Sequence, residues 1–422
     1  MSYTIKKITS INGEITVPGD KSISHRGVML GALADGTTEI DGFLMGADCL
    51  STIDCFRKMG IDIEVGEKVI VYGKGLKGLK KPSDMLYTGN SGTTTRLLCG
   101  ILSGQDFDTK ISGDASICKR PMKRVTEPLR DMGADIDGDF CPLTVKGTEL
   151  NGITYDMKVA SAQVKTALIL AGLYANGKTV IKEKTKSRNH TELMLGAMGA
   201  DISVDENTVT VGKTESLKPL DLFVPGDISS AAFFMVAAAV MKNSSVRIKN
   251  VGINETRTGI IDVFKSMGAN ISIENEHLSA LEPTADIVVS SSELKGCTIS
   301  GELIPRLIDE LPVIAVMALF AEGDTVIKDA AELKVKETNR IRAVVDEFKK
   351  CGADIEETDD GMIIHGGKKL HGADFKTYGD HRMAMSLIIL AQMTDGECTL
   401  DDEKCVDVSY PEFIKDFYSS ER

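Results

Sequence analysis

Apolar residues recur along this chain in two alternating patterns, and the first is a run that is apolar on nearly every helical face. Each run is followed by a turn and a short strand-like segment. Six segments have this form: 25–40, 93–111, 162–181, 229–248, 310–327 and 381–400. Helices that are apolar all round are buried, so the sequence predicts six buried helices.

The second pattern is an amphipathic helix that ends in Met-Gly or Cys-Gly and continues into a strand. Ile341, Val344, Val345 and Phe348 form the apolar face of one such helix, which ends near Cys351. The glycine suits the position just past a helix end, where the backbone takes a positive φ. Five strings of this type place glycines at 60, 133, 199, 268 and 352.

Together the two patterns divide the 422 residues into six units of about 70 residues. Alternating helices and strands indicate an α/β protein, and six such units exceed one core, so two lobes of three units are expected. Two Pro-Gly pairs, 18–19 and 225–226, mark the division. We predict an N-terminal lobe of residues 18–226. The C-terminal lobe would combine residues 227–422 with residues 1–17, which contain a first strand at about 3–17.

The alternative to a two-lobed protein is a solenoid without catalytic chemistry. Solenoid repeats usually have periods of about 20–50 residues. The glycines of the second pattern are 73, 66, 69 and 84 residues apart. This longer spacing disfavours a solenoid.

The charge and cysteine content of the chain limit its partners. Lysine and arginine total 49 and aspartate and glutamate total 62, for a formal charge of −13. Duplex-binding proteins usually carry a basic surplus, so no nucleic-acid partner is expected. The nine cysteines form no Cys-x-x-Cys pair, which is typical of reduced thiols in a cytoplasmic protein. The longest apolar run, residues 231–241, is too short to span a bilayer, so no membrane partner is expected.

Against this acidic background, basic residues lie where buried helices begin. Lys21, Ser22 and Arg26 stand at the start of the first buried helix. Cations there oppose the helix dipole, unless a bound anion is held by the backbone N–H groups and these side chains. The structural alternative is a capping Ser22 beside solvated cations.

Other buried helices begin with polar segments that fit either capping or ligand binding. Residues 89–96 combine glycines, threonines and an arginine, and Gly92 allows a ligand to approach the backbone closely. Ser161 and Gln163 open the third buried helix, and Asp309 precedes the fifth. Asp309 is explained equally well as a helix cap or as a catalytic carboxylate.

Further basic residues lie at one more helix start and in other segments. Arg382 opens the sixth buried helix, Arg120 lies in a loop and Arg188 opens another helix. Lys336 and Arg340 are four residues apart, so they are predicted to share one face of an amphipathic helix. Because Glu337 lies between them in the sequence, an ordinary salt-bridged surface is the structural alternative for this segment.

The coincidence of these segments indicates an anion site. If the buried helices of each lobe begin at the same end, their N-termini face a cleft between the lobes. The cleft then holds cations from both lobes: Lys21, Arg26, Arg120, Arg188, Lys336, Arg340 and Arg382. Such a local cluster in an acidic protein is expected to bind anions, here two anionic substrates that react with each other.

Seven motifs, taken in order, resemble those of the 5-enolpyruvylshikimate-3-phosphate synthase family of enolpyruvyl transferases, over essentially the whole chain. They are PGDKSISHR, GNSGTTTR, KRPM, SAQ, IDELP, VKETNR and DHRMAM. The resemblance implies two lobes of three βαβαββ units in an inside-out α/β barrel. It also implies transfer of the enolpyruvyl (carboxyvinyl) group of phosphoenolpyruvate to the 5-hydroxyl of shikimate-3-phosphate, in aromatic amino acid biosynthesis. Phosphate would leave, no cofactor or metal would take part, and a monomer is expected.

The resemblance further implies roles for individual residues. The shikimate-3-phosphate site would comprise Lys21, Ser22, Arg26, Ser161, Gln163, Arg188, Asp309 and Lys336. The phosphoenolpyruvate site would comprise Lys21, Gly92, Arg120, Gln163, Arg340 and Arg382. Asp309 resembles the base that takes the 5-hydroxyl proton, and Glu337 the acid that protonates the vinyl carbon. Lys21 is a competing candidate for proton transfer.

A few positions depart from the pattern of some family members. Ala162 replaces a second serine, which removes one side-chain contact. Val408 stands where some members have a lysine that binds phosphoenolpyruvate, which puts one cation of that site in doubt. Arg188 stands where some members have tyrosine, and Gly92 is retained rather than alanine, which resembles members sensitive to glyphosate.

Two other functions stay open at this point. The sister enzyme that transfers enolpyruvyl to UDP-N-acetylglucosamine shares the six-unit fold. It usually has a cysteine five residues before Arg-Pro, where this chain has Ala115; Cys118 lies nearby at a different spacing. A non-catalytic anion-binding repeat protein would need no carboxylate pair, so Asp309 and Glu337 argue against it.

Overall fold

A computed structural model describes residues 2–421; Met1 and Arg422, at the two ends of the predicted C-terminal lobe, lie outside the described residues. The strands are β1 (Tyr3–Thr4), β2 (Asn12–Thr16), β3 (Asp35–Asp41), β4 (Asp62–Val65), β5 (Val69–Lys74), β6 (Leu86–Tyr87), β7 (Thr109–Ser112), β8 (Asp135–Asp137), β9 (Leu143–Lys146), β10 (Thr154–Asp156), β11 (Thr179–Lys182), β12 (Ile202–Asp205), β13 (Thr208–Val211), β14 (Leu222–Phe223), β15 (Ser245–Gly252), β16 (Asn270–Ser279), β17 (Glu282–Ser290), β18 (Thr298–Ile299), β19 (Asp324–Ile327), β20 (Asp354–Glu357), β21 (Met362–His365), β22 (Asp374–Phe375) and β23 (Thr399–Leu400). The helices are α1 (Lys21–Leu33), α2 (Ala47–Lys58), α3 (Gly92–Ser103), α4 (Lys123–Asp131), α5 (Ala162–Gly172), α6 (His190–Ala197), α7 (Ile228–Val240), α8 (Gly259–Ser266), α9 (Leu311–Ala318), α10 (Arg340–Lys350), α11 (His381–Gln392) and α12 (Phe413–Ser419).

The chain divides into two compact units. The central unit is Gly19–Val224, and the terminal unit combines the chain before Gly19 with the chain from Pro225 onward. The central unit contains the sheets β14-β3-β5-β4, β6-β7-β9-β8 and β10-β11-β13-β12. The terminal unit contains β2-β15-β17-β16, β18-β19-β21-β20 and the three-stranded β22-β23-β1.

One strand order recurs in these sheets. In each four-stranded sheet the first two strands are parallel, and the other two neighbouring pairs are antiparallel. The three-stranded sheet has the same parallel and first antiparallel pair. A parallel pair needs a crossover, and the helices α3, α5, α9 and α11 lie between the paired strands β6 and β7, β10 and β11, β18 and β19, and β22 and β23. The other two parallel pairs, β3 with β14 and β2 with β15, join strands that are far apart in the sequence. The α/β fold of repeated βαβαββ units is therefore confirmed.

After their first turn, the helices expected to be buried are buried on all faces, apart from the last residues of α7 and α11, Val240 and Gln392. Small residues let them approach closely: a Cβ added at Gly100 of α3 would lie 2.2 Å from the backbone oxygen of Ala167 on α5. The five glycines after the amphipathic helices have φ between 75° and 98°, as expected for residues just past a helix end. No helix within residues 2–421 is both long and apolar enough to cross a membrane.

The N-terminal segment differs from its prediction. A single strand over about 3–17 is wrong, because this segment holds two strands that belong to different sheets. β1 pairs antiparallel with β23, and β2 pairs parallel with β15. The core of the terminal unit buries three side chains between β1 and β2, Ile5, Ile8 and Ile11. Their burial fixes the path of the chain from the edge of one sheet to the edge of the next.

Candidate active site

The predicted site residues form two clusters, one in each unit, and each is described by itself. The central cluster comprises Lys21, Ser22, Arg26, Gly92, Arg120, Ser161, Gln163 and Arg188. The terminal cluster comprises Asp309, Lys336, Glu337, Arg340 and Arg382. In both units these residues lie at the beginnings of buried helices or in the loops beside them.

The start of α1 presents Lys21 and Ser22. Asp20 caps the helix, since its Oδ1 accepts a hydrogen bond from the backbone N–H of Ile23 at 3.0 Å. Ser22 therefore does not cap the helix, and that structural alternative is wrong. Instead, Ser22 Oγ accepts from Arg188 Nη1 at 3.3 Å, while Lys21 Nζ lies 3.3 Å from Asp48 Oδ2.

Arg26 joins three helices of the central unit. Its Nε donates to Thr191 Oγ1 on α6 at 2.7 Å and its Nη2 to Thr166 Oγ1 on α5 at 2.9 Å. Its Nη1 donates to the backbone oxygen of Ser22 at 3.0 Å. The guanidinium is buried, so these hydrogen bonds fix it beside the residue that also contacts Arg188.

A chain of hydroxyl groups connects α1 to the start of α3. His25 Nδ1 lies 2.7 Å from Thr52 Oγ1, which lies 2.7 Å from Thr94 Oγ1. Thr94 Oγ1 donates to Ser91 Oγ at 2.7 Å, and Ser91 caps α3 through the backbone N–H of Thr94. This chain holds the two helix starts in a fixed relation.

The start of α3 meets the start of α5 around Gly92. Gln163 Nε2 donates to Thr93 Oγ1 at 3.0 Å, and its Oε1 accepts from Arg96 Nη1 at 2.7 Å. A Cβ added at Gly92 would lie 2.6 Å from Arg96 Nη1 and 3.4 Å from Arg120 Nη1. Gly92 therefore leaves room for two guanidinium groups and for any anion they bind.

Arg120 and Ser161 occupy either side of these helix starts. Arg120 Nη2 donates to Asn90 Oδ1 and, at 3.3 Å, to Ser116 Oγ. Ser161 caps α5, since its Oγ accepts from the backbone N–H of Val164 at 3.5 Å. Capping is thus confirmed for Ser161, and capping alone does not prevent its hydroxyl from meeting a ligand.

Arg96 belongs to this arrangement but was not among the predicted site residues. It is buried on an otherwise largely apolar helix and contacts the predicted site residue Gln163. A buried arginine is expensive unless it is paired or hydrogen-bonded. An arginine within an apolar helical run was the available signal in the sequence.

In the terminal cluster, two carboxylates converge on one arginine. Asp309 Oδ1 lies 3.0 Å from Lys336 Nζ and 3.3 Å from Arg340 Nη1. Glu337 Oε2 lies 2.5 Å from Arg340 Nη2. The cap residue of α9 is Glu310 and not Asp309, so the capping alternative for Asp309 is wrong and its side chain joins this cluster.

The predicted helical face shared by Lys336 and Arg340 is also wrong. Helix α10 begins at Arg340, because Asn339 caps it by accepting a hydrogen bond from the backbone N–H of Arg342 at 3.2 Å. Lys336 and Glu337 precede the helix and follow a 3-10 helix, Ala331–Val335. Lys336 and Arg340 come together through Asp309 and not through helical periodicity.

Arg340 is the most enclosed cation of the terminal cluster. Its side chain is 1% exposed, and its Nε donates to the fully buried Asp380 at 2.8 Å. Burial disfavours the charged guanidinium, but the carboxylates of Asp380, Glu337 and Asp309 outweigh it and raise the pKa of Arg340 above its usual range. Arg340 therefore stays charged and orients the carboxylates around it.

Arg382 connects the starts of α9 and α11. Its Nη1 donates to the backbone oxygen of Asp309 at 3.1 Å and lies 3.9 Å from Glu310 Oε1. Asp380 caps α11 by accepting from the backbone N–H of Arg382 at 2.9 Å, and it also binds Arg340. Asp380 thereby contacts the guanidinium of Arg340 and the backbone of Arg382.

These features define an α/β repeat protein with basic side chains clustered at helix starts and two carboxylates on one arginine, an arrangement that can bind anions and transfer protons. The model of the family described as EPSP synthase (3-phosphoshikimate 1-carboxyvinyltransferase) matches residues 5–417. The chain belongs to this family.

Relatives support the same assignment along the chain. A 3-phosphoshikimate 1-carboxyvinyltransferase from Bacillus pumilus is 56% identical over 417 residues, which cover 97% of each chain. The structure of EPSP synthase from Acinetobacter baumannii matches with a TM-score of 0.87 at 43% identity, covering 100% of this chain and 98% of that one. The enolpyruvyl transferase NikO from Streptomyces tendae matches with a TM-score of 0.79 at 16% identity, over 99% of this chain and 97% of that one, and supports the fold alone.

Proposed function

We propose that this protein transfers the carboxyvinyl group of phosphoenolpyruvate to the 5-hydroxyl of shikimate-3-phosphate and releases phosphate, in aromatic amino acid biosynthesis. The family match and the named relatives support the choice of substrates. One observation carries the chemistry: Asp309 and Glu337 both contact the guanidinium of Arg340. Two carboxylates held at one cation provide the proton acceptor and proton donor that an addition–elimination reaction needs.

The proposal assigns shikimate-3-phosphate to residues of both clusters. Ser22, Arg26 and Arg188 are connected by hydrogen bonds in the central unit, and guanidinium groups suit phosphate because they present parallel N–H donors. The full set is Lys21, Ser22, Arg26, Ser161, Gln163, Arg188, Asp309 and Lys336.

Phosphoenolpyruvate carries a carboxylate and a phosphate, so its site needs several cations. In the central unit the proposed ligands lie around Gly92: Arg120 Nη1 would be 3.4 Å from a Cβ at Gly92, and Gln163 Nε2 donates to the neighbouring Thr93. In the terminal unit Asp380 accepts from the guanidinium of Arg340 and from the backbone N–H of Arg382. Together with Lys21, these residues would bind phosphoenolpyruvate: Gly92, Arg120, Gln163, Arg340 and Arg382.

In the proposed addition step, Asp309 takes the proton of the 5-hydroxyl while the oxygen of that hydroxyl forms a bond to C2 of phosphoenolpyruvate. Glu337 delivers a proton to C3, which turns the vinyl group into a methyl group. In the elimination step a proton leaves that methyl group, the C2–O bond to phosphate breaks, and the double bond forms again. Lys21 is a competing proton donor or acceptor.

The basic residues would contribute mainly through electrostatics. The tetrahedral intermediate keeps the anionic groups of both substrates, and cations already fixed by hydrogen bonds stabilise such charge without reorganising. The positions of Arg26 and Arg340 are fixed in this sense. The proposal requires residues 18–226 and the remainder of the chain to act as two lobes on the same pair of substrates.

The proposed function is tested by measuring phosphate release from phosphoenolpyruvate. We expect release only when shikimate-3-phosphate is added. Release with UDP-N-acetylglucosamine instead would assign the sister activity, and release with neither acceptor would favour an anion-binding protein.

Cys118 lies near the position where the sister enzyme usually has a cysteine, so it is the residue to replace when the two activities are compared. Its Sγ lies 3.6 Å from Ser112 Oγ, and Cys118→Ser is expected to leave turnover with shikimate-3-phosphate unchanged.

A further inference from the structure

A buried lysine in the central unit contacts two carboxylates that the reaction does not use. Lys165 Nζ lies 2.8 Å from Glu183 Oε2 and 2.7 Å from Glu192 Oε1. The three side chains are 1%, 3% and 4% exposed. A lysine so deeply buried with two glutamates is unusual, so this arrangement calls for an explanation beyond core packing.

The two carboxylates lie on either side of Arg188 in the sequence. Glu183 follows β11 and Glu192 lies in the first turn of α6, so Lys165 contacts both ends of the segment 183–192, which we name the Arg188 loop. Lys165 Nζ also donates to the backbone oxygen of Ser187 at 3.2 Å. One ammonium group thus holds the loop at its start, at its end and at the residue before Arg188.

Glu183 adds a second restraint inside the Arg188 loop. Its Oε1 accepts hydrogen bonds from the backbone N–H of Ser187 at 3.0 Å and from the Ser187 hydroxyl. The carboxylate therefore fixes Ser187 through one oxygen and Lys165 through the other. The backbone on the N-terminal side of Arg188 is determined by this pair.

The same lysine lies next to groups that hold Arg26. Thr166 follows Lys165 on α5 and Thr191 precedes Glu192 on α6, and both hydroxyls accept from Arg26. These hydroxyls are also 2.9 Å from each other. The ion trio formed by Lys165, Glu183 and Glu192 therefore connects α5, α6 and the loop that presents Arg188.

We propose that Lys165 is a positioning residue that holds the Arg188 loop, and with it the Arg188 guanidinium, in place for the phosphorylated acceptor substrate. This inference rests on the proposed function for the identity of that substrate. Lys165 acts through Glu183, Glu192 and Ser187. Loss of the trio should therefore weaken binding of shikimate-3-phosphate more than binding of phosphoenolpyruvate.

The experiment compares the single variant Lys165→Met with a triple variant in which all three buried charges are removed. Lys165→Met alone leaves two buried carboxylates without their cation, and such a variant is liable to unfold. The triple variant Lys165→Met/Glu183→Gln/Glu192→Gln removes all three charges at similar volume, and exchanging a buried ion group for uncharged residues is often tolerated. Lys146→Met is the matched control, since Lys146 pairs with Asp135 on the surface at 2.9 Å.

The kinetic measurement compares the change in KM for shikimate-3-phosphate with the change in KM for phosphoenolpyruvate. For the folded triple variant we expect KM for shikimate-3-phosphate to rise about tenfold or more, with KM for phosphoenolpyruvate and kcat within about threefold of the unmodified protein. Unchanged KM values for both substrates would overturn the proposal. An equal rise of both would also overturn it, because a general loosening of the unit would cause that result.

A second readout needs no substrate and so separates this proposal from the proposed function. Hydrogen exchange of the amides in the Arg188 loop should be faster in the triple variant, whereas exchange in α3 should match that of the unmodified protein. Unchanged exchange in the loop overturns the positioning role whatever the activity. If the unmodified protein does not turn over shikimate-3-phosphate but the loop exchange rises as expected, the proposed function fails and the positioning role stands.

Discussion

One buried arginine of each cluster, Arg26 and Arg340, is held by different chemistry. In the central cluster, Arg26 donates to the hydroxyls of Thr191 and Thr166 and to a backbone oxygen. In the terminal cluster, Arg340 lies among three carboxylates, those of Asp309, Glu337 and Asp380. Hydroxyl groups orient the Arg26 guanidinium, whereas the carboxylates around Arg340 orient that guanidinium and also balance its charge.

This difference indicates a division of labour within the proposed reaction. Carboxylates beside an anion site weaken anion binding, so their concentration in the terminal cluster needs a chemical reason. Proton transfer supplies one, because a general base and a general acid must be carried by titratable groups. In the proposed reaction, Arg26 would serve substrate binding, and the carboxylates around Arg340 would serve proton transfer.

The largest expected effect is on turnover when Asp309 is replaced by alanine. The change removes the proposed base and leaves Arg26 and Arg188 of the central cluster untouched. We expect kcat to fall by about 10²–10⁴-fold, while calorimetry still detects binding of shikimate-3-phosphate. Asp346→Ala is the control, since Asp346 pairs with Arg342 at 2.8 Å on the surface. A kcat within about threefold of normal would remove Asp309 from the proton-transfer step.

The second expected effect is on stability and compares the two arginines directly. Arg340→Met leaves buried carboxylates, among them Asp380, without their cation, and should cost about 3–5 kcal/mol of the free energy of unfolding of the terminal unit. Arg26→Met leaves Thr166 and Thr191, which already lie within hydrogen-bond distance of each other. Its cost to the central unit should be about 1–3 kcal/mol.

Because the chain forms two compact units, a single unfolding curve for the whole protein does not give the loss of unfolding free energy in either unit. Hydrogen exchange in the buried strands of each unit reports the loss separately. Similar losses for Arg26→Met and Arg340→Met would show that the partners of the two arginines are energetically alike, which contradicts the comparison.

The third expected effect is on substrate affinity at Gly92. In Gly92→Ala the added methyl group would lie 2.6 Å from Arg96 Nη1. This nitrogen is at the end of a long, flexible side chain. We therefore expect the guanidinium to shift and the fold to be kept. We expect KM for phosphoenolpyruvate to rise about tenfold in Gly92→Ala, with a smaller change for shikimate-3-phosphate. Gly196→Ala is the control, because a Cβ there meets no atom within 4 Å. A larger change for shikimate-3-phosphate would assign Gly92 to the other substrate.

Much of this architecture could be predicted from local patterns. The apolar runs identified the helices that are buried, and the glycines at 60, 133, 199, 268 and 352 have the expected positive φ. Both signals depend on a few neighbouring residues, since helical periodicity and the conformation past a helix end are local properties.

Properties that depend on distant partners were harder to predict. Lys336 and Arg340 looked like neighbours on one helical face, but Asn339 caps the helix and Asp309, far away in the sequence, joins them. Lys165 and Arg96 are charged residues within apolar helical runs. Their partners lie on other elements, so only the folded chain relates them to Arg188 and Gln163.

The smallest expected effect is a loss of stability of the central unit in mild acid, caused by His25. Burial lowers the pKa of His25 well below its usual 6.5, and the charges of Lys21 and Arg26 lower it further, while Asp20 opposes them. The folded protein therefore keeps His25 neutral below pH 6.5, where the unfolded chain binds a proton. Since the unfolded state binds more protons there, stability falls as the pH falls, by about 0.8 kcal/mol between pH 7.5 and pH 6.

His25→Gln can keep the hydrogen bond to Thr52 without titrating. The same acidification should therefore destabilise the central unit of this variant less, as measured by hydrogen exchange at each pH. His277→Gln, at an exposed histidine, is the control, and equal pH dependence in His25→Gln and the unmodified protein would show that His25 does not cause the acid sensitivity.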